Sequence, residues 1–344
     1  MSKKIIFSGG GTGGHIFPAI NLMKHFFDKE YKVLLVTDNR GNNLVKNYSE
    51  FKSYILRAGT PTNKNLFQKF FSYFLIFYSM IRSIIILKNE KPDLIFGFGG
   101  YVSFPISFVS RFFNLPLIIY ENNMVLGRAN KYLSSFSKKI LLAKRVTKNF
   151  SEKYKNKTYE VGSILNKNII NYSPFKENEN EGKFSILVLG GSQGAEIFGT
   201  IIPTVIKMIK DAGYEIKINQ QCIIEQKNSI IDFYEKNNIK NYVFEFDKNI
   251  LKLISSSSLA ITRCGASTTA ELAHTLTPFI AVPLPNSIDN HQYLNAKYYE
   301  NEGCCWLLEQ DNFSTENLFN LIMETIKNKN KLENIRKNMK KNYN

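Results

Sequence analysis

Two glycine-rich turns follow short apolar runs at two distant places in this chain. The first turn, Gly9–Gly14, comes after the run Ile5–Phe7, and the second, Gly190–Gly194, comes after Ile186–Leu189. A helical pattern follows each turn, which is the context in which glycines let a backbone approach a phosphate at a helix N-terminus. The repetition predicts two similar α/β units, each with a ligand-binding turn after its first strand.

The length of the chain supports this division, because 344 residues exceed one ordinary core and suit two domains. Strand and helix patterns alternate through both halves, which predicts parallel sheets with helices on both faces. A polar segment at 166–183 interrupts the alternation and is interpreted as a linker, so the predicted domains are 1–165 and 184–344. The C-terminal helical tail is a candidate to pack back on the first domain. The predicted strands are residues 4–8, 33–37, 93–97, 117–121, 139–143 and 159–162, then 184–190, 215–219, 242–246, 259–263 and 279–283.

The formal net charge of +16 is high for a chain in which 44% of the residues are hydrophobic and 22% are charged. This charge favours a polyanionic partner, such as an anionic membrane surface or a phosphorylated substrate. A genome biased toward Lys, Asn and Ile codons would produce the same excess of positive charge. The lysines are scattered and no nucleic-acid-binding motif accompanies them, so we expect no nucleic acid partner.

The four cysteines have no metal-ligand spacing and no histidine partner, which indicates buried thiols in a reducing compartment. They are Cys222, Cys264, Cys304 and Cys305. No secretory apolar segment precedes the first glycines, and no Asp-x-Asp pair occurs. We therefore expect a cytoplasmic protein that binds no metal.

One helical pattern, residues 66–87, is apolar on nearly every face. Between Phe70 and Leu87 only Arg82 is charged. A stripe of large side chains follows helical spacing: Phe67, Phe70, Phe71, Phe74, Phe77, Tyr78, Ile81, Ile84 and Ile85. A helix that is apolar all round is buried or faces lipid, and an internal arginine makes this one marginal as a membrane span. We favour a helix that covers the sheet and dips its outer face into a membrane surface, with a wholly buried core helix as the alternative.

His15 directly follows the first glycine turn, where a helix should begin. The helix macrodipole at this position disfavours the imidazolium and keeps a neutral ring, which can accept a proton as a general base does. The alternative is a histidine that only caps the helix or contacts an anion. The spacing Gly9-x-Gly11-x-x-Gly14 followed by Asp38 also fits a dinucleotide fingerprint, which leaves an oxidoreductase using a nicotinamide or flavin as a different class of function.

Two further segments carry candidate ligand contacts. A third glycine turn, Gly97–Gly100, follows a strand and can present N–H groups to an anion, or can simply connect the strand to a helix. The segment Arg263–Glu271 combines a strand end, small residues and a carboxylate. Glu271 could accept hydrogen bonds from a sugar diol, or only cap its own helix.

Taken together, these segments resemble the MurG family, glycosyltransferases that add N-acetylglucosamine to the lipid-linked muramyl-pentapeptide precursor of peptidoglycan. The resemblance runs from Ile5 to about Trp306. Its motifs are Gly-Gly-Thr-Gly-Gly-His-Ile-Phe-Pro at 10–18, Gly-Gly-Tyr-Val-Ser at 99–103, Glu-Asn-Asn at 121–123, Gly-Gly-Ser-Gln-Gly-Ala at 190–195, Arg-x-Gly-Ala at 263–266 and Asp-Asn-His-Gln-Tyr-x-Asn-Ala at 289–296. Several spaced motifs in one order are more specific than any single motif.

The resemblance implies an α/β fold of the GT-B type, in which two Rossmann-like domains have parallel sheets facing a central cleft. The donor UDP-N-acetylglucosamine would bind mainly the C-terminal domain, and the lipid acceptor would lie over the N-terminal domain. In an inverting transfer, His15 would deprotonate the C4 hydroxyl of the muramyl residue, directly or through a neighbour. The donor contacts would be Thr12, Gly13, Gly14, Asn123, Ser192, Ala266, Glu271 and Gln292, and the acceptor contacts Gly99, Gly100 and Tyr101. No cofactor is implied.

The resemblance also implies where such a protein works and with what. It would lie peripherally on the cytoplasmic face of the bacterial inner membrane. Its partners would be UDP-N-acetylglucosamine, the lipid-linked muramyl-pentapeptide, the anionic membrane surface and other cell-wall synthesis proteins. A transferase or epimerase of the same fold that uses a UDP-sugar with another acceptor is the competing interpretation.

The chain departs from the family pattern at three places. The family usually has Val-Gly-Asn-Pro-Val-Arg where this chain has residues 161–166, so Asn166 replaces an expected arginine contact and Lys167 is the next candidate. Asp247 stands where the family presents isoleucine to the base. His291 stands where glutamine is common, so Gln292 is the predicted contact for the sugar hydroxyls.

Overall fold

The computed structural model describes residues 2–45, 51–57, 59, 65–145, 147–172, 184–191 and 195–343. The chain divides into two compact units, Met1–Asn166 and Lys167–Asn344. The predicted linker is described only as far as Tyr172, and within it Lys167–Ile170 forms a short helix, α6, at the start of the second unit. The division of the chain therefore falls at the beginning of the predicted linker.

The described part of the first unit contains a seven-stranded parallel sheet with helices between the strands. Its strands are β1 (Lys4–Ser8), β2 (Lys32–Thr37), β3 (Lys52–Ile55), β4 (Leu94–Gly97), β5 (Leu117–Glu121), β6 (Lys139–Leu142) and β7 (Thr158–Glu160). Its helices are α1 (Gly13–Phe27), α2 (Asn39–Val45), α3 (Leu66–Glu90), α4 (Ser103–Val109) and α5 (Arg128–Leu133). Short 3₁₀ helices cover Ser110–Phe113 and Glu152–Lys157.

The strand order β3-β2-β1-β4-β5-β6-β7 makes β1 and β4 the strands at which the order reverses. Alternate residues of β1 explain why it lies in the middle: Ile6 packs in the core on one face, whereas Ile5 and Phe7 pack in the core on the other. Open α/β sheets bind ligands outside the carboxyl ends of the strands at such a reversal. This edge holds the turns that follow β1 and β4.

The second unit repeats this plan in its described residues, with a six-stranded parallel sheet in the order β10-β9-β8-β11-β12-β13. Its strands are β8 (Phe184–Leu189), β9 (Ile216–Gln221), β10 (Lys240–Phe244), β11 (Leu259–Thr262), β12 (Phe279–Ala281) and β13 (Cys305–Leu307). Its helices after α6 are α7 (Glu196–Asp211), α8 (Ile224–Lys236), α9 (Ile250–Ser255), α10 (Ala266–His274), α11 (His291–Asn301), α12 (Thr315–Lys327) and α13 (Lys329–Tyr343), with 3₁₀ turns at Ile288–Asn290 and Gln310–Asn312. The buried side chains of α13, Leu332, Ile335 and Met339, pack in the cores of this second unit.

Helix α3 turns its large apolar side chains outward. Phe67, Phe70 and Phe77 are exposed by 80%, 74% and 62%, and the exposed stripe continues to Ile85. The buried side chains are Ser72, Ser79, Ser83, Ile86, Leu87 and Glu90. The alternative of a wholly buried core helix is therefore wrong. Helix α3 is long and apolar enough to cross a membrane. By itself this is weak evidence for a membrane span, because the core helices of soluble proteins meet the same criterion.

The C-terminal end of α3 is attached to the sheet by one buried carboxylate. Glu90 accepts hydrogen bonds from Lys52 Nζ at 2.5 Å, Tyr54 Oη at 2.5 Å and Lys4 Nζ at 3.1 Å. Burial acts to raise the pKa of Glu90, but these three donors outweigh it and lower the pKa to about 2. Because Lys4 begins β1 and Lys52 begins β3, the exposed apolar helix is fixed to the strands beneath it.

Candidate functional site

The first glycine turn leads from β1 into α1 and places His15 in the first turn of that helix. Thr12 precedes the helix in an extended conformation, and its side chain makes no capping hydrogen bond. The carbonyl of Thr12 accepts from the backbone N–H groups of His15 and Ile16, both at 3.2 Å. Among the described residues, no hydrogen bond joins the N–H groups of Gly13 and Gly14 to an acceptor. These amides are therefore available to an anionic ligand at the helix N-terminus.

The third glycine turn lies directly against His15. Gly99 and Gly100 have φ angles of +81° and +77°, in the left-handed region that favours glycine. A Cβ atom on Gly99 would lie 3.3 Å from His15 Nδ1, and one on Gly100 would lie 2.8 Å from the carbonyl oxygen of Gly10. The turns after β1 and β4 thus touch each other, and only glycine fits at the contact. Tyr101 follows this turn and is partly exposed.

Glu121 organises the neighbouring strand end, a role that the sequence did not reveal. One carboxylate oxygen accepts from the backbone N–H of Asn123 at 3.1 Å and from Asn123 Nδ2 at 3.0 Å. The other accepts from the backbone N–H of Gly127 at 2.9 Å and from Asn130 Nδ2 at 3.0 Å. The buried carboxylate therefore fixes the predicted donor contact Asn123 and the start of α5. The sequence signal for this role was an acid followed by two asparagines, Glu121–Asn123, at the end of an apolar strand.

Asp38, the acidic residue of the dinucleotide fingerprint, is engaged within its own unit. Its Oδ1 accepts from the backbone N–H of Gly41 at 2.7 Å and so caps α2. A Cβ atom on Gly10 would lie 3.0 Å from the same oxygen. The carboxylate thus packs against the first glycine turn.

In the second unit, the corresponding reversal of strand order lies between β8 and β11. Gly191 has a φ angle of +79° at the start of the second glycine turn. Ser192, the predicted diphosphate contact, lies outside the described residues together with Gln193 and Gly194. The turn after β11 begins with Arg263. If Gly191 carried a Cβ atom, this atom would lie 3.9 Å from the Cβ of Arg263.

Arg263 is a buried cation for which no carboxylate partner occurs in the described part of the chain. Its Nη1 donates to the carbonyl oxygens of Val282 and Pro283 at 3.2 and 3.1 Å, its Nη2 donates to Gln310 Oε1 at 2.5 Å, and its guanidinium lies 4.9 Å from the ring centroid of Phe198. Burial lowers the pKa of Arg263, but a guanidinium remains charged at neutral pH. Arg263 therefore holds a buried positive charge against Phe198 in the first turn of α7, although in the sequence it stood out only as part of a motif.

The side-chain amide oxygen of Gln292 accepts two backbone hydrogen bonds. This oxygen accepts from the N–H groups of Cys264 at 3.1 Å and Leu284 at 3.0 Å, which leaves the amide nitrogen as the group that could meet a sugar hydroxyl. Asn295 Nδ2 donates to the carbonyl of Cys264 at 3.1 Å. Both side chains thus clamp the turn after β11. The neighbouring His291 makes a 2.8 Å hydrogen bond between Nδ1 and the carbonyl of Ile288.

Ala266 begins α10 and is buried, and Glu271 lies five residues further along the same helix. Glu271 is only partly exposed, and no hydrogen-bond partner for its carboxyl occurs among the described residues. Burial raises the pKa of this carboxyl to about 7. A carboxyl held in this way is suited to a ligand that supplies its own hydroxyl donors.

Three more residues concern the departures from the family pattern and are described by the structure: Asn166, Lys167 and Asp247. Asn166 ends the first unit and the exposed Lys167 begins α6. Asp247 accepts from Tyr242 Oη at 2.8 Å and from the backbone N–H of Asn249 at 2.6 Å, so its carboxylate fixes the start of α9.

Comparison with known proteins agrees with this architecture. Residues 5–142 match the N-terminal domain model of glycosyltransferase family 28, and residues 185–344 match its C-terminal domain model. A protein of Rickettsia bellii named UDP-N-acetylglucosamine--N-acetylmuramyl-(pentapeptide) pyrophosphoryl-undecaprenol N-acetylglucosamine transferase is 36% identical, over 98% of this chain and 95% of its own. A protein of the same name from Pelagibacter ubique is also 36% identical, over 99% and 94%. The crystal structure of Acinetobacter baumannii MurG superposes with a TM-score of 0.79 at 24% identity, covering 99% of this chain and 95% of that one.

Two Rossmann-like units with glycine turns at their strand reversals form a fold of the GT-B type, and the two domain matches define the chain as a glycosyltransferase. The chain belongs to glycosyltransferase family 28 and, within it, to the MurG family. This membership decides against the oxidoreductase interpretation of the first glycine turn.

If Glu271 contacts the donor, as we propose, donor binding will depend on pH. The carboxyl loses its charge below pH 7 and then accepts hydroxyl hydrogen bonds less well, so the Kd for UDP-N-acetylglucosamine should rise about tenfold between pH 8 and pH 6. Titration calorimetry measures this, and the nucleotide-sugar diphosphate stays fully ionised over that range. The variant Glu271→Gln should bind weakly at both pH values, whereas the same pH dependence in this variant would contradict the assignment.

Proposed function

We propose that this protein is an inverting transferase that moves N-acetylglucosamine from UDP-N-acetylglucosamine to the C4 hydroxyl of a lipid-linked muramyl-pentapeptide, a step of peptidoglycan synthesis. The names of the relatives that are 36% identical over nearly the whole chain support this substrate pair. The observation that carries the proposal is the contact between His15 and the Gly99–Gly100 turn. It combines a proton acceptor with backbone turns that suit a diphosphate.

His15 acts as the general base in this proposal. Its Nδ1 is buried against Gly99, so Nε2 is the nitrogen that can take the proton of the acceptor hydroxyl. The deprotonated oxygen attacks the anomeric carbon, the bond from that carbon to the diphosphate breaks, and UDP leaves with the electron pair. Attack opposite the leaving group inverts the anomeric configuration. Gly99, Gly100 and Tyr101 hold the acceptor diphosphate beside the base.

The second unit stabilises the departing UDP. The N-terminus of α7 offers a helix dipole to the developing charge, and Ser192, in the second glycine turn but outside the described residues, is the proposed diphosphate contact. Arg263 adds a permanent positive charge beside this turn. Thr12, Gly13, Gly14, Asn123, Ala266, Glu271 and Gln292 complete the proposed donor contacts.

Transfer of radiolabelled N-acetylglucosamine to a lipid-linked muramyl-pentapeptide tests the proposal. The wild-type protein should form the disaccharide lipid, and His15→Ala should reduce kcat about 10²- to 10⁴-fold while UDP binding changes little, because only the proton acceptor is lost. Absence of transfer by the wild type would contradict the acceptor, and equal rates for both proteins would remove His15 as the base.

We also propose that α3 attaches the protein to the anionic membrane that contains the acceptor, as a peripheral protein on its cytoplasmic face. Eleven large side chains between Leu66 and Ile85 are exposed on one side of this helix: Leu66, Phe67, Phe70, Phe71, Tyr73, Phe74, Phe77, Tyr78, Ile81, Ile84 and Ile85. A stripe of this size is far larger than the scattered apolar side chains of ordinary surfaces. The exposed cations Lys69, Arg82 and Lys88 lie on the same helix and can meet anionic headgroups. Lys64, which precedes this helix in the sequence, is a further candidate cation and lies outside the described residues.

Liposome cosedimentation tests this attachment. Changing Phe70, Phe74 and Phe77 to Ser should weaken binding to vesicles containing anionic lipid by about 10³-fold, because each buried aromatic side chain contributes roughly 1.5 kcal/mol. A control with Phe27, Ile224 and Phe246 changed to Ser removes three exposed apolar side chains elsewhere on the surface. UDP binding should be retained in both variants. Equal vesicle binding by the two variants would contradict the proposal.

A further inference from the structure

Asn130 lies beside the base and is not among the residues so far assigned a role in the reaction. It is 1% exposed, on the first turn of α5. A Cβ atom on Gly99 would have three nearest neighbours, namely Asn130 Nδ2 at 3.1 Å and His15 Cε1 and Nδ1, both at 3.3 Å. The amide of Asn130 and the Nδ1 edge of the imidazole therefore flank the same glycine.

The orientation of the Asn130 amide is determined by its surroundings. Its Nδ2 donates to the carbonyl oxygen of Tyr120 at 2.9 Å and to Glu121 Oε2 at 3.0 Å. An amide oxygen in that position would face two acceptors, so the nitrogen must occupy it. The oxygen Oδ1 is then turned away from Glu121. It is buried and accepts no hydrogen bond from the described residues.

A buried amide oxygen without a donor costs free energy, and a catalytic role is one reason for a protein to keep such a group. The imidazole Nδ1 of His15 is buried against the same glycine and can donate a hydrogen bond when it carries the proton. Hydrogen bonds to a base are often completed only when the substrate is bound. The tautomer of a histidine is selected by the partner of the nitrogen that does not react.

We propose that Asn130 is a positioning residue: its Oδ1 accepts a hydrogen bond from His15 Nδ1–H, selects the tautomer in which Nε2 carries no proton, and stabilises the imidazolium formed when Nε2 takes the acceptor proton. Glu121 holds Asn130 in place, so the carboxylate acts on the base through the amide. This inference rests on the assignment of His15 as the base. It also explains why the turn after β4 needs glycine, because any side chain on residue 99 would separate the two groups.

The tautomer can be measured without turnover. Long-range proton–nitrogen NMR spectra of ¹⁵N-histidine-labelled protein, with and without UDP, resolve the ring nitrogens of only four histidines, and His15→Ala identifies the signal. The wild type should show His15 as the Nδ1–H tautomer above neutral pH. A wild-type His15 protonated on Nε2 would overturn the proposal before any Asn130 variant is made.

Variants of Asn130 test whether its side chain selects the His15 tautomer. Asn130→Ala should give a mixture of tautomers and lower kcat about 10- to 100-fold, with the KM for the donor changed less than about twofold. The acidic limb of its kcat–pH profile should move to lower pH, since the imidazolium loses an acceptor. In Asn130→Asp, the added carboxylate should move the limb to higher pH.

The matched control is Asn122→Ala, which removes a buried amide that accepts from Tyr120 Oη at 2.9 Å in the same network. It should leave the His15 tautomer and the pH limb unchanged. An unchanged tautomer in Asn130→Ala, or the same changes in Asn122→Ala, would show that Asn130 is only structural. If His15→Ala retains full transfer while the tautomer results hold, the fault lies with the assignment of the base.

Discussion

The close contact between two backbone turns in the first unit determines the rest of its proposed chemistry. Gly100 approaches the carbonyl of Gly10 so closely that a Cβ atom would lie 2.8 Å from it, and Gly99 presses on the ring of His15. These contacts occur because β1 and β4 are neighbours although 85 residues separate their ends in the chain, from Ser8 to Leu94 at the nearest. The strand order thus brings a proton acceptor and two sets of backbone donors to one edge of the sheet. Without glycine at both positions, this meeting of turns could not form.

The two units share a strand order but use it differently. In the first, the reversal of strand order holds a histidine whose ring packs against Gly99 and Gly100, with Glu121 fixing the neighbouring strand end. In the second, the equivalent place holds Arg263 beside Gly191, with Gln292 and Asn295 clamping the turn that follows. One edge is therefore suited to moving a proton and the other to stabilising negative charge. A transfer reaction with a diphosphate leaving group requires both.

The sequence predicted the parts of this fold that depend on periodicity. The strand at Lys4–Ser8 was predicted with its observed bounds, because buried central strands of a parallel sheet are continuous apolar runs. The repeated glycine turns predicted two units of one type. Strand β3 (Lys52–Ile55) was missed because an exposed edge strand has no such run. The sequence left a wholly buried helix as the alternative for α3, because three of its six buried side chains are serines, which no apolar pattern marks as facing inward. The bond between Glu121 and Asn130 was missed because it depends on the path of a loop, which residue spacing does not specify.

The most direct test of this account compares Gly99→Ala with Gly213→Ala. Both glycines have left-handed φ angles, +81° and +89°, but a Cβ atom at Gly213 meets nothing within 4 Å, whereas one at Gly99 meets His15 and Asn130 at 3.1 to 3.3 Å. Both variants should lose about 1 to 2 kcal/mol of folding free energy from backbone strain. The account predicts that Gly99→Ala lowers the rate of sugar transfer at least about 10²-fold and that Gly213→Ala stays within about twofold of wild type, because only the first displaces the base. Equal transfer rates in the two variants would contradict it.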